Sequence, residues 1–573
     1  MTFAYSSKDF DVCIVGSGAG ASPVAYTLAR RGYHVLVLEK GPWFHDEDFN
    51  KDELACCLRN TYLSDPEDEP HVVESEDDQG QWQARTTHQT GQHFWNGNCV
   101  GGSSNFMSGF FYRLKPIDFH LLSTFGPISG ADVVDWPISY ADLEPYYAQV
   151  EREVGISGRV VQHPHAEPRS TEDFPYPPTT EHAIAGMLDG ACRKSGFHSL
   201  PTPRAILPYP AMGRGGCLYN GGLCGSTGCS TGAKGSGRSA FLTRAVATGN
   251  CRIRPRHTVT RLLSDAKGRV TQAQYRDATG KTGTVSAKVF VIACQAIETA
   301  RLLLLSTGPR YPNGLANGSG LVGKNLLFSG GGAGSGRLLL DRFDSDQRQA
   351  LNDPRTFVNR ALQDWYVIDD TDFGPRQKGG TISFMPIHPN PVARALRQLR
   401  GQDGRLVWGQ ALKRKLEAHF LHGPMVKIEA FCDWLPVPDC HMRLDPTVKD
   451  RWGLPVARVR TGFHLRNLQV GWYLAAKGAE ILKKIGAENV VSFASGAAPG
   501  NLQAGTCRFG TDPDRSVLDP DCRAHEAENL FVTDGSFMPT AGSAPYTWTI
   551  YANAFRVADH IARQLGGTSG SSV

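Results

Sequence analysis

The sequence has no uninterrupted apolar run near the roughly 20 residues that a membrane-spanning helix needs, so no segment is expected to cross a membrane. It also has no large excess of either charge. Its 60 Lys and Arg residues are nearly balanced by 56 Asp and Glu residues. The net charge of +4 therefore does not indicate nucleic-acid binding or a polybasic membrane patch. The start, MTFAYSSKDF, has no basic segment followed by an apolar one, which predicts that no export signal is encoded there.

A regular disulfide framework is also not expected. The 14 cysteines are spread over 573 residues, and most of them, such as Cys13 within an apolar run, fit small buried side chains. Free thiols suit the cytoplasm, which is the expected compartment, with export to the periplasm alongside a partner as the alternative. Apolar residues make up 40% of the chain and charged residues 20%, which indicates a globular protein with a substantial core.

The strongest pattern in the chain lies in residues 11–40. An apolar run at 12–15 predicts a buried strand, glycines follow, apolar residues then recur at helical spacing, and a second apolar strand ends at Glu39. This order predicts a strand–helix–strand unit that binds a dinucleotide. Gly16 permits the tight turn, Gly18 lets a pyrophosphate approach the backbone, and the helix N-terminus offers free N–H groups to the phosphates. Glu39 is placed where a carboxylate binds the ribose hydroxyls of an adenosine.

The rest of the chain predicts two kinds of domain. Residues 251–306 return to strands and a helix that fit a nucleotide-binding domain. Residues 330–500 show mixed elements, which we interpret as a second domain built on an antiparallel sheet. The strands and helices expected there lie near 379–387, 426–435, 392–420 and 464–485.

Five stretches, taken together, resemble the glucose-methanol-choline (GMC) oxidoreductases and follow the family's order over nearly the whole chain. They are GSGAG with Glu39, GNCVGGSSN at 97–105, VFVIACQAIETARLLLLS at 289–306, GTCRFGTDPDRSVLD at 505–519 and NLFVTDGSFMPTAG at 529–542. The resemblance implies an α/β fold, in which a discontinuous Rossmann-like FAD domain carries an α+β substrate domain with an antiparallel sheet. FAD rather than NAD is implied by the family and not by the glycines.

The resemblance also implies domain boundaries and cofactor contacts. Residues 1–135, 205–330 and 500–573 would form the FAD-binding domain, and residues 136–204 and 331–499 the substrate or cap domain. The residues implied to bind FAD are Gly16, Gly18, Gly20, Glu39, Gly102, Ser103, Ser104, Asn105, Val259, Asp534 and Gly535.

A finer likeness connects the chain to bacterial membrane-associated sugar and polyol dehydrogenases of the same family. It rests on RLKPIDFHLLSTFG at 113–126, LDPTVKDRWGLPV at 444–456 and a cysteine stretch at 216–236. In some of those enzymes three cysteines in this stretch hold an iron–sulfur cluster that relays electrons to a haem subunit. Cys217, Cys224 and Cys229 would be the ligands here, although their C-x6-C-x4-C spacing departs from the tighter spacing of the cluster-bearing members. A loop with buried thiols, or a disulfide, is the alternative.

The family's catalytic pattern is broken in this sequence. A histidine just before GTCRFG usually takes the hydroxyl proton of the substrate while hydride leaves for flavin N5, helped by a His or Asn before the closing helix. Here the first position is Asn501 or Leu502, and the second is Pro545. Asn501 can orient a hydroxyl but cannot act as a base. Tyr546 and His93 are therefore the candidates for a displaced base, although each also fits an ordinary packed or hydrogen-bonded side chain.

We expect an FAD-dependent oxidoreductase, a dehydrogenase rather than an oxidase, that oxidises an alcohol group of a sugar, polyol or cyclic alcohol by hydride transfer to flavin N5. An electron-acceptor or signal-bearing subunit is the expected partner. Two alternatives stay open: a flavoprotein with altered chemistry, such as a lyase, an elimination or a photodecarboxylation, and a non-catalytic flavin-binding subunit that relays electrons. Covalent attachment of FAD to His88 or His93 is a further hypothesis.

Overall fold

The computed structural model describes residues 10–50, 52–53, 60–77, 79–90, 94, 96–219, 228–353, 357–386, 391–401 and 403–566. Its strands are β1 (Phe10–Val15), β2 (Val35–Leu38), β3 (Val72–Glu76), β4 (Trp82–Thr86), β5 (Leu200–Pro201), β6 (Cys251–Arg254), β7 (Thr258–Ser264), β8 (Val270–Arg276), β9 (Thr282–Ile292), β10 (Lys324–Leu327), β11 (Ser329–Gly330), β12 (Gly332–Arg337), β13 (Arg360–Leu362), β14 (Val367–Ile368), β15 (Gln377–Lys378), β16 (Gly380–Pro386), β17 (Met425–Asp433), β18 (Cys440–Lys449), β19 (Pro455–Thr461), β20 (Glu488–Ala494), β21 (Ala504–Thr506) and β22 (Leu530–Val532).

The α-helices are α1 (Ser22–Arg30), α2 (Thr87–Thr90), α3 (Leu121–Phe125), α4 (Tyr140–Val154), α5 (Ala183–Lys194), α6 (Thr243–Ala247), α7 (Ala296–Leu305), α8 (Ser345–Leu351), α9 (Pro391–Arg397), α10 (Gly409–Leu421), α11 (Leu465–Lys484) and α12 (Thr547–Gln564). Within the described residues, none of these helices combines the length and the apolar character needed to cross a membrane.

The first sheet has the strand order β6-β2-β1-β9-β8-β7, and β22 also pairs with β9. β1 runs parallel to β2 and β9, and β9 runs parallel to β22. Val12, Ile14 and Val37 are fully buried because the sheet is covered on both faces, as parallel sheets require. The carboxyl ends of parallel strands share one edge, so the turns after β1, β2 and β9 meet there. The strand–helix–strand unit expected from the glycine pattern is confirmed.

The second sheet has the order β20-β12-β17-β16-β13-β5, and its strands pair in the antiparallel sense. Helix α11 covers one face of it, where Leu474 and Ile481 join the buried cluster of Ile382 and Ile428. The antiparallel second domain is therefore present, and the expected fold class is confirmed. The helix expected near 392–420 is divided into α9 and α10.

A smaller sheet of order β18-β19-β3-β4 connects distant parts of the chain. β19 pairs in parallel with β3, and Cys440, Met442 and Ala457 belong to the core of the first sheet. From the sequence we placed all of 331–499 in the substrate domain, whereas 440–461 packs with the first core. Helix α4, at the start of the 136–204 segment, packs against the closing helix α12. The domain boundaries stay a prediction.

Candidate active site

The glycine turn after β1 is enclosed by two other segments of the chain. Gly16 has φ +89°, and a Cβ there would lie 2.3 Å from the carbonyl oxygen of Ala293, at the end of β9. A Cβ on Gly20 would lie 2.5 Å from the backbone nitrogen of Asp534. A Cβ on Gly18 would meet nothing within 4 Å. Gly16 and Gly20 are thus required by packing within the protein, whereas the space beside Gly18 is open for a ligand.

Glu39 follows β2 and is almost fully buried. Its carboxylate accepts hydrogen bonds from the Ser17 hydroxyl at 2.6 Å and from the Gly41 backbone N–H at 2.8 Å. The Gly101 N–H donates in turn to the Ser17 hydroxyl at 3.0 Å. Burial raises the pKa of Glu39, although both hydrogen bonds favour the ionised form. The two bonds leave lone pairs on the carboxylate for ligand hydroxyls.

The second glycine–serine turn lies directly against the first. Ser103 accepts a hydrogen bond from the Gly97 N–H at 2.8 Å, and the Ser104 hydroxyl accepts one from the Gly237 N–H at 2.9 Å. The Asn105 side chain differs from the two serines because its amide donates to carbonyl groups of its own turn. Asn105 is buried and is not among the cavity-lining residues, so its contacts shape the turn.

Asp534 ties the C-terminal segment to the end of β9. Its carboxylate accepts hydrogen bonds from the Ser536 N–H at 2.8 Å, the Gln295 N–H at 2.9 Å and the Thr299 hydroxyl at 2.5 Å. Burial raises the pKa of Asp534. These bonds fix the backbone of the C-terminal segment beside the glycine turn.

These segments line one cavity of about 340 Å³. Of the residues expected from the sequence, it brings together Gly16, Gly18, Gly20, Glu39, Gly102, Ser103, Ser104, Val259, Asn501, Asp534, Gly535 and Tyr546. Gln295 and Gln503 also line this cavity, and Gln295 Nε2 and Gln503 Oε1 are buried without a hydrogen-bond partner among the described residues. Buried polar atoms are rarely left unsatisfied, so these two atoms point to a polar ligand. Together with the open space beside Gly18, they fit a bound dinucleotide.

Two residues of the predicted catalytic region, Tyr546 and Leu502, contact each other. The Tyr546 hydroxyl donates to the Leu502 carbonyl, and burial raises the pKa of Tyr546 well above its ordinary value. A phenol held neutral with its proton already donated is a poor proton acceptor. Asn501 is exposed and lines the cavity. His93 lies outside the described residues, so its proposed role stays a prediction.

Sequence analysis missed two residues of β17 that line the same cavity, Glu429 and Phe431. Side chains alternate between the faces of a strand, and Ile428 and Ala430 point into the second core under α11. Glu429 and Phe431 therefore share the opposite face, toward the FAD-type domain. A glutamate within the apolar run of MVKIEAFCD was the available signal, but the sequence does not show which face meets the other domain.

Six carboxylate side chains line the cavity, and five of them are held within the protein. These five and one partner each are Glu39 with Ser17, Glu69 with Lys40, Glu298 with His71, Asp450 with Arg301 and Asp534 with Thr299. The sixth is Glu429, whose carboxylate receives no hydrogen bond or ion pair from any residue that the structure describes. It is the one carboxylate on this cavity whose lone pairs are all available to a ligand, as far as the described chain shows.

The cysteine stretch is only partly described. Cys217 accepts a hydrogen bond from the Tyr219 N–H at 3.4 Å, and Cys229 accepts one from the Lys234 N–H at 3.4 Å. Both are partly buried beside Leu207. Cys224 lies outside the described residues, so the iron–sulfur hypothesis is not tested.

A separate group, His163, His198 and Asp364, has ligand-type atoms within 4.8 Å of one another. His198 Nδ1 lies 2.7 Å from an Asp364 oxygen. His163 Nδ1 accepts the backbone N–H of His165 at 3.0 Å, so the neutral ring carries its proton on Nε2, the atom that faces Asp364. A metal-bound histidine donates a proton from its second nitrogen instead. We interpret this group as a hydrogen-bonded cluster and not as a metal centre.

Comparison with known proteins identifies the class. Models of the GMC oxidoreductase family match residues 177–328 and 436–554, and a model of an NAD(P)-binding Rossmann-like domain matches residues 14–74. The chain belongs to the GMC oxidoreductase family and is an FAD-dependent oxidoreductase.

Individual relatives align over nearly the whole chain. It is 31% identical to 6'''-hydroxyparomomycin C oxidase of Streptomyces lividus, over 99% of this chain and 94% of that protein. It is 32% identical to paromamine 6'-oxidase of Streptomyces fradiae, over 97% and 92% of the two chains. It is 29% identical to the fructose dehydrogenase large subunit of Gluconobacter japonicus, over 97% and 98%. A formate oxidase variant from Aspergillus oryzae RIB40 shares the fold, with a TM-score of 0.62 at 16% identity over 98% and 99% of the chains.

Proposed function

We propose that this protein oxidises an alcohol group of a sugar, polyol or cyclic alcohol and passes the hydride to bound FAD. The observation that supports this most is that one cavity is shared, because the glycine turns and Glu39 line it together with Asn501, Glu429 and Phe431. The names of the relatives, which include oxidases of paromamine and a fructose dehydrogenase subunit, point to the same substrate class.

The residues of the cavity would divide the work between cofactor and substrate. The backbone at Gly18 and Gly20 would hold the pyrophosphate of FAD, and Glu39 would accept hydrogen bonds from its ribose hydroxyls. Bound FAD supplies the acceptor for the hydride that leaves the substrate carbon. The protein must then accept the hydroxyl proton that remains on the substrate.

We propose that Glu429 accepts this proton. The alcohol loses a hydride from its carbon and a proton from its oxygen, and the carbonyl product forms as the carboxylate becomes protonated. Glu429 is the cavity carboxylate without a partner in the described chain, and the residues implied at the family's positions, Asn501 or Leu502 and Pro545, cannot act as a base. Asn501 would orient the hydroxyl.

The neighbours of Glu429 bring it close to the loop before α12. Glu429 pairs across the strands with Ser383, whose hydroxyl lies 3.3 Å from the Tyr112 hydroxyl. Tyr112 packs in one cluster with Ala544, two residues before Tyr546. Ser383 and Tyr112 thus connect the strand that carries Glu429 to the loop before α12.

The test is anaerobic reduction of the bound flavin by a panel of sugars and polyols, followed by its absorbance. Glu429→Gln keeps the size of the side chain, and we expect its flavin reduction to slow about 10²–10⁴-fold at unchanged FAD content. Tyr546→Phe is the matched control and should keep the pH profile of the parent. Equal reduction rates in Glu429→Gln and the parent would place the base elsewhere, with His93 next to test. Product without any flavin reduction would contradict the oxidation itself.

The electron acceptor and the partners are also proposals. A dehydrogenase that passes electrons to a partner subunit fits the relative that is named as a large subunit, the fructose dehydrogenase of Gluconobacter japonicus. Oxygen uptake compared with reduction of an artificial acceptor decides between oxidase and dehydrogenase. Iron and acid-labile sulfide analysis tests a cluster on Cys217, Cys224 and Cys229. Cytoplasmic residence, with export beside a partner as the alternative, is tested by fractionation.

A further inference from the structure

A helical hairpin projects from the substrate domain between β16 and β17. It consists of α9, a turn and α10, of which the structure describes residues 391–401 and 403–421, and we call it the basic hairpin. No described residue of α9 or α10 is buried. Its large apolar side chains face solvent: Trp408 is 76% exposed, Leu421 69% and Leu406 63%. Exposing several large apolar side chains of one segment to water costs free energy, so their exposure suggests that the segment binds another surface.

The same segment concentrates the positive charge of the protein. It holds seven Arg and Lys residues against Asp403 and Glu417, so its net charge of +5 exceeds the +4 of the whole chain. Arg397, Lys413 and Arg414 make no ion pair or hydrogen bond with residues that the structure describes. These charges are available to an external anionic surface.

Hydrogen bonds hold the base of the hairpin, which would give its tip a fixed orientation relative to the substrate domain. Arg337 donates to the carbonyl groups of His419 and Gly423 at 3.1 and 2.9 Å. Lys415 bridges the two arms by donating to carbonyl groups of Gln398 and Arg400. The turn that carries Leu406 and Trp408 lies beyond these contacts.

We propose that the basic hairpin binds the surface of an anionic lipid membrane. Tryptophan and leucine side chains enter the boundary between headgroups and acyl chains, while neighbouring arginines and lysines contact lipid phosphates. A protein partner would need a groove that is both acidic and shaped for Trp408, whereas an anionic lipid surface meets both demands without matched shape. The protein would lie on the membrane and not cross it.

Sedimentation with vesicles tests the proposal on the FAD-loaded protein. We expect binding to vesicles of phosphatidylcholine mixed with phosphatidylglycerol, little binding to phosphatidylcholine alone, and weakening as salt rises. Each basic residue removed should weaken binding about fivefold, so the triple variant Arg397→Gln, Lys413→Gln, Arg414→Gln should lose about 100-fold. Trp408→Ser should also bind more weakly.

The control is Trp472→Ser, because Trp472 is 52% exposed on α11, outside the hairpin. It should bind vesicles like the parent. FAD content and melting temperature confirm that each variant is folded. The proposal is overturned if the parent does not bind anionic vesicles at low salt, or if the triple variant binds them as well as the parent. It is also overturned if Trp408→Ser leaves lipid binding unchanged and slows only electron delivery to a protein acceptor.

Discussion

Two glycines of one turn should respond to the same substitution in opposite ways. In Gly20→Ala the new Cβ would lie 2.5 Å from the backbone nitrogen of Asp534 and 2.5 Å from the carbonyl oxygen of Thr533. Both neighbours are backbone atoms, so α1 must move away from the C-terminal segment. Overpacking of this kind costs about 1–3 kcal/mol, and we expect that loss in the free energy of unfolding with or without FAD.

Gly18→Ala should leave the FAD-free protein as stable as the parent, because its Cβ would meet no atom within 4 Å. The methyl group would instead occupy the space that we assign to the pyrophosphate. A ligand at 100 times its Kd stabilises a protein by about 2.7 kcal/mol, and Gly18→Ala should lose this gain. The variant should therefore unfold at the same urea concentration in the presence and absence of FAD.

The assay is urea unfolding of FAD-stripped and FAD-saturated protein, combined with a fluorescence titration of FAD binding. The two variants control for each other. Gly20→Ala disturbs packing within the protein, whereas Gly18→Ala fills only the space that we assign to FAD. If Gly18→Ala binds FAD as tightly as the parent, the pyrophosphate does not lie beside this glycine. The reasoning about the cavity would then fail.

Two further predictions concern buried charges. Arg113 donates to Glu151 at 2.8 and 3.0 Å, and loss of one partner of a buried pair costs about 3–5 kcal/mol. The loss of unfolding free energy in Arg113→Met, measured by urea unfolding, should be at the low end of that range, because Arg169 still pairs with Glu151 at 2.6 Å. An unchanged urea midpoint would contradict this prediction. Burial alone would raise the pKa of Glu74, but hydrogen bonds from arginines of β19 hold it below its ordinary 4.5. The stability that Glu74 contributes through its lowered pKa is therefore present above pH 4.5 and is lost as the pH falls. In Glu74→Gln, the free energy of unfolding should thus decrease less steeply toward acid pH than in the parent.

The sequence predicts best where one local pattern determines one structure. Residues 11–40 combine a buried strand, a glycine turn and an acid at the right distance, and all three features meet at the cavity. The antiparallel character of the second domain also follows from its strand pattern. The prediction of one continuous helix over 392–420 is wrong because Gly404 and Gly409 have φ of +75° and +62°, outside the right-handed helical region. Apolar periodicity continued across these glycines and concealed the turn.

The hairpin shows a second limit of sequence reasoning, which is that overall charge hides local charge. A net charge of +4 over 573 residues gave no reason to expect a polybasic surface. The structure gathers seven basic residues in a hairpin whose two helices have no buried residue among those described, so the average describes neither the hairpin nor the rest of the chain. Electrostatic attraction acts over about 8–10 Å in physiological salt, so the local density of charge decides what binds.

The sequence did not single out Glu429, our proposed base, because the search followed the positions that the family resemblance implies, Asn501 or Leu502 and Pro545. Leu502, one of the two candidates for the first position, has φ +55°, a left-handed conformation that costs a bulky residue roughly 1–2 kcal/mol. The hydrogen bond from Tyr546 to its carbonyl helps to hold it there. A carboxylate from β17, which belongs to the substrate domain, also lines the cavity. If Glu429 takes the proton, the base and the substrate-binding sheet change together, so the identity of the substrate and the pH dependence of its oxidation would be set by one strand.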